Sequence, residues 1–221
     1  MNHLDFPKSF AGLLAGLLLF VLACALATVP FLGLDLASGE NGPLEWTQEA
    51  MLMAAVVFSG AAALGLRGPE RLAAFLATLL YAVFLLRELE LPVTGPITRY
   101  LASGMFRWHE TLVLAVLVLP YAALRFRFWP AILSYGLSLR GWPFALAALL
   151  VGTGAVFDGV PSLGGVAHLS TFLEETAELL GYTVLAVAAG WVLARARAED
   201  GAAQGPVAGG AAPLGCPSRG A

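Results

Sequence analysis

The stretch HLSTFLEETAELLGYTVLAVAAGWVLARAR, residues 168–197, decides how this chain is read. Its first part carries His168, Glu174, Glu175 and Glu178. Its second part, Leu179 to Ala194, holds no charged side chain and is closed by Arg195 and Arg197. That apolar run is 16 residues long, whereas a helix crosses a bilayer with about 20. A crossing helix must therefore reach back to about Glu175, which places Glu178 inside the hydrocarbon edge. At roughly 100° per residue, Thr171, Glu174, Glu175, Glu178 and Tyr182 share an arc of about 100°. Glu174 and Glu178 are one turn apart and stack on one face. The segment reads as a membrane helix with a carboxylate face at one end and arginines at the other.

Five more apolar stretches repeat the pattern. With the first they give spans at about Phe10–Leu34, Trp46–Leu66, Leu72–Leu91, Phe106–Leu124, Pro143–Val160 and His168–Ala194. The chain has 221 residues, 59% of them apolar and 12% charged, with mean hydropathy +0.80. Soluble domains are about 25% charged, so an ordinary soluble enzyme, a disordered chain and a nucleic-acid-binding protein are all excluded. The expected fold is all-α: a polytopic membrane protein whose six transmembrane helices form one bundle over residues 1–198. An amphipathic segment from Arg125 to Trp142, opening Arg-Phe-Arg-Phe-Trp, is expected in the interface. Residues 199–221, rich in Ala, Gly and Pro without periodicity, read as a disordered cytoplasmic tail. The first span has a cleavage-like Ala25-Leu26-Ala27. Its apolar run is longer than a signal-peptide core, and it is read as an uncleaved helix.

Sidedness follows from charge. Six spans put both termini on one side. That side holds nine basic residues against four acids, and the other holds three arginines (Arg87, Arg99, Arg107) against eleven carboxylates. The positive-inside rule then gives N-in and C-in. Eleven of the twelve basic residues are arginine. With abundant Ala, Leu and Gly, this suggests a GC-rich bacterial genome, and the expected location is the bacterial inner (cytoplasmic) membrane. The two cysteines, Cys24 and Cys216, supply neither a disulfide framework nor a thiolate metal site. No nucleotide-binding or hydrolase motif and no internal repeat is present.

The polar residues converge on the outer ends of the spans. Glu45 and Glu49 open the second span, and Arg87, Glu88 and Glu90 close the third. His109 and Glu110 open the fourth, and Asp158 closes the fifth. A plainer account covers much of this. Acids in a first helical turn are favoured by the macrodipole, by about 0.3–1 kcal/mol, and that describes Glu45, Glu49, Glu110, Glu174 and Glu175. Arg87 with Glu90, and Arg107 with Glu110, are spaced as helical ion pairs. Trp46, Trp108, Trp129 and Trp142 suit an interfacial belt, and His3 sits near the terminus. Glu88, Glu90 and Asp158 resist this account, because they lie at helix C-terminal ends where the dipole disfavours negative charge. Glu178 lies deeper than capping requires. The excess of outer carboxylates calls for protons or a cation to neutralise it.

Three functional classes fit these features. The first is a divalent-metal-dependent hydrolase or transferase acting on a lipid or lipid-linked substrate. His109, His168, Glu174 and Glu178 would hold Zn, Mn, Mg or Fe, and Glu88 and Glu49 would serve as general base or support. Arg87 and Arg107, with Tyr182, would bind the substrate, the arginines taking a phosphate or carboxylate head group. The second is an accessory or assembly protein that docks a membrane partner without catalysis. The third is a cation or proton transporter, which needs a polar path to the other side. The inner halves of the spans offer little beyond Thr28, Ser59, Thr78 and Tyr121.

Overall fold

The computed structural model describes residues 4–39, 41–89, 94–101, 103–160 and 162–203. Among these the chain is helical almost throughout. The helices are α1 (Lys8–Ala37), α2 (Pro43–Gly65), α3 (Gly68–Glu88), α4 (Pro96–Leu101), α5 (Gly104–Leu124), α6 (Trp129–Gly136), α7 (Trp142–Phe157) and α8 (Leu169–Ala203). Short 3₁₀ turns, Phe126–Phe128 and Leu139–Gly141, flank α6, and a minimal antiparallel hairpin, Ser162–Leu163 with Val166–Ala167, leads into α8. Five helices are long and apolar enough to cross a membrane. A sixth crossing arises if α5 and the short helix after it, bent by 73°, are one span.

Local sequence sets these boundaries. Pro43, Pro69, Pro130 and Pro143 each stand in the first turn of a helix, where a missing N–H costs nothing and the fixed φ suits the helix. Gly68 turns α2 into α3 with φ 59°, a value glycine reaches without a Cβ clash. Ser103 caps α5 by accepting from the Phe106 amide. The prolines also explain why the Arg125–Trp142 stretch is short turns and one two-turn helix instead of a continuous amphipathic rod. At the C-terminal end α8 runs on to Ala203, beyond the expected span end at Ala194 and into the stretch read as tail, because Ala194 to Asp200 is rich in good helix formers. Residues 204–221, with Cys216, lie outside the described residues, as do His3, Glu90 and Pro92.

The bundle is built around α8. Six consecutive residues, Gly181 to Ala186, are buried, so this part of the helix is covered on every side. It packs mainly against α2 and α7, and α2 also packs along α3. Small residues allow the close approach, as is usual where helices meet in lipid. A methyl placed on Gly181 would come within 2.7 Å of Val151 Cγ2, and one on Gly190 within 3.3 Å of the Phe58 ring. By contrast α1 buries a stripe, Phe10, Leu14, Val21 and Ala25, and Ala37 at its end. In α5 only Ala122 is buried, while Trp108, Leu112, Val116 and Leu119 are exposed.

The N-terminal segment folds back onto this bundle. Leu4 and Phe6 are buried, and Phe10 packs edge-on against Trp142 and Trp191. Trp142 is thus a packing residue, not simply a member of an interfacial belt. The carbonyl of Asp5 accepts from Arg195 at 2.8 Å and from Trp191 Nε1 at 3.3 Å, and that of Leu4 accepts from Tyr135 Oη at 2.7 Å. Residues 5 and 195 therefore lie at the same end of the bundle.

Candidate functional site

At the opposite end, α3 and α8 bring carboxylates together. Tyr182, 2% exposed, donates a hydrogen bond of 3.0 Å from its hydroxyl to Glu88 Oε1. This fastens the last turn of α3 to the middle of α8. Glu178, one turn from Tyr182, lies within electrostatic reach of Glu88, Glu174, Glu175 and Arg87. Glu174 lies within reach of Glu88, Asp158 and Arg87. The carboxylate face read from the α8 sequence thus exists, and Glu88 joins it from a second helix.

A third helix contributes a residue that the sequence reading missed. Gln48 on α2 is fully buried, and its Nε2 donates to Glu175 twice, to the backbone carbonyl at 2.8 Å and to Oε2 at 2.6 Å. Its own Oε1 is buried without a hydrogen-bond partner, as is the hydroxyl of Thr176 on the next residue of α8. The buried residues of α2 are Leu44, Gln48, Leu52, Ala55, Ser59, Ala62 and Ala63. Glu49 is half-buried, one position round from this face, so Gln48 is the residue of the pair that faces α8. The signal was there: a glutamine in step with buried apolar residues.

Helix α7 shapes the floor. A methyl on Gly154 would sit 2.8 Å from Glu178 Cγ and 3.2 Å from the Glu174 carbonyl oxygen. The stem of Glu178 therefore lies directly on the α7 backbone, and only glycine leaves it that space.

The two histidines lie elsewhere. His109 is exposed on α5, and its Nδ1 is 2.6 Å from the hydroxyl of Tyr100. His168 is exposed before α8, with φ 60°, and its Nδ1 is 3.7 Å from Asp35 at the end of α1. Among the described residues no group of three or more His, Cys, Asp or Glu side chains is arranged to hold a metal ion. The expected set of His109, His168, Glu174 and Glu178 is thus not assembled there. The physical reason is lateral: the spacing along each helix fixes the level of a residue, but His109 rides on the peripheral α5 and His168 turns toward α1.

Arg87 and Arg107, expected to meet a head group, lie on the neighbouring helices α3 and α5. Both line a cavity of about 550 Å³ between α3 and α5, along with Glu110 and Thr111 and the apolar side chains of Val83, Leu86 and Leu114. One carboxylate oxygen of Glu110, Oε1, is buried without a hydrogen-bond partner. A second cavity of about 330 Å³ lies nearer the arginine end. Its walls are almost wholly apolar (Ala62, Ala74, Ala77, Leu80, Ile132 and Val192 among them), with Ser59, Tyr81 and Tyr135 the polar exceptions.

The chain matches no protein-family model, no curated protein and no solved structure.

Proposed function

We propose that the protein is an integral membrane enzyme, a hydrolase or transferase acting on a lipid or lipid-linked substrate at the outer edge of a bacterial inner membrane. One observation carries the reading. Arg87 lines the α3–α5 cavity and its charge also reaches Glu174 and Glu178, so a cationic residue joins a pocket of mixed polar and apolar lining to a carboxylate group. Intramembrane ionisable residues at this depth are costly, and they mark functional sites by default. The unpartnered Oε1 of buried Gln48 beside that group also supports a polar ligand or water there, since such an atom is normally satisfied.

The chemistry available to these side chains is proton transfer. In hydrolysis, a carboxylate such as Glu178 or Glu88 takes a proton from water as the water oxygen bonds to the substrate's acyl or phosphoryl centre. It returns that proton to the oxygen that leaves when the ester bond breaks. In transfer, an acceptor hydroxyl replaces the water. The orientation rests on the positive-inside rule, and the shared level of residues 5 and 195 supports an even number of crossings. Transport is less well supported, because the cavity toward the arginine end offers a hydrated ion few ligands.

The test is conversion of lipid. Purified protein is incubated in mixed micelles with a bacterial inner-membrane lipid extract and followed by lipid mass spectrometry. The wild type should deplete one lipid class and accumulate its product, and Glu178→Gln and Glu88→Gln should each slow this by about 100-fold or more, the usual worth of an acid–base group. No change in any lipid with the wild type, or equal rates in all three proteins, overturns the enzyme reading.

A further inference from the structure

The cavity between α3 and α5 is lined by two cations, one anion and Thr111 beside apolar side chains. The two helices meet only lightly. Arg87 comes from α3, and Arg107 and Glu110, three residues apart, come from one face of α5. Two guanidinium groups from facing helices suit a phosphate, which they bind through parallel charge-assisted hydrogen bonds. Glu110 does the opposite. It lines the same cavity, and its Oε1 is out of water with no hydrogen-bond partner, an arrangement that a donor cation beside it would relieve.

We propose that this cavity binds an amphiphile whose head group carries a phosphate and, a few bonds away, a primary ammonium. The phosphate lies between Arg87 and Arg107, the ammonium lies against Glu110, and the tails run along Val83, Leu86 and Leu114. The volume of about 550 Å³ is within the range of small-molecule pockets. A head group with a quaternary ammonium has no N–H to offer Glu110. An anionic head group without an amine satisfies the arginines and leaves the carboxylate repelled. The expected order is therefore phosphatidylethanolamine ahead of phosphatidylglycerol and phosphatidylcholine. This rests on the lipid reading above and names the class of lipid.

The experiment uses the full chain in detergent and native mass spectrometry, with the three phospholipids carrying identical acyl chains. The wild type should retain phosphatidylethanolamine about tenfold better than either of the others, as one charge-assisted hydrogen bond allows. Glu110→Gln should remove the preference over phosphatidylglycerol while binding of both persists. Arg87→Gln combined with Arg107→Gln should lose both. Equal retention of the three lipids by the wild type overturns the proposal without any variant being needed, and so does a preference that survives Glu110→Gln. If the preference holds and depends on Glu110 while no lipid is ever converted, the binding site stands and the enzyme reading falls.

Discussion

Gln48 has its whole side chain out of water, and its Nε2 ties α2 to both the backbone and the carboxylate of Glu175. Replacing it with leucine, similar in size, removes those bonds and leaves Glu175 without its donor. The expected cost is about 1–3 kcal/mol, seen as a lower Tm in thermal unfolding of the detergent-solubilised protein. A Tm equal to wild type would show that the bonds are not made. Gly154 supplies a second test at this scale. A methyl there would meet the stem of Glu178, whereas one on Gly152 would meet nothing within 4 Å. Gly154→Ala should therefore lower lipid conversion and Gly152→Ala should leave it intact. Equal effects would mean that the position of Glu178 does not matter.

Between α7 and α8 the spacing is set by Gly181, where an added methyl would sit 2.7 Å from Val151 Cγ2 and 3.3 Å from the Ala147 carbonyl oxygen. Gly181→Ala should force the helices apart and cost about 1–3 kcal/mol, as overpacking does. The same change at Gly190, which faces the edge of a ring that can shift, should cost less. A larger loss of Tm at Gly190 would refute this ranking. This scale also shows where the sequence is legible. Helical periodicity placed Glu174, Glu178 and Tyr182 on one face of α8. The Tyr182–Glu88 bond joins that face to the last turn of α3. Periodicity fixes a direction around one axis and a level along it, but it does not say which helix stands opposite. His109 and His168 have the right level and the wrong neighbours, Tyr100 and Asp35. Gln48 escaped notice because an uncharged amide does not interrupt an apolar pattern as a carboxylate does.

For the molecule as a whole, the shared level of Asp5 and Arg195 ties the two ends of the described chain together. The positive-inside reading of the charge imbalance expects that level at the cytoplasm. With Cys24 and Cys216 replaced by alanine, cysteines at Arg67 and Arg197 should react with a membrane-impermeant maleimide only from the cytoplasmic face. Cysteines at Trp108 and Asp158, both exposed, should react only from the other face. Labelling of positions 67 and 197 from opposite faces would require an odd number of crossings between them and overturn the six-span topology.

The helix that the others surround follows them in the chain, so α8 is made after α1 to α7. While the ribosome is still adding α8, α2 and α7 have been delivered to the membrane without their common partner, and the N-terminal strap waits for Trp191 and Arg195. The early helices lack their common packing partner until α8 is complete, and a chain that stops before Gly181 lacks the buried part of that helix.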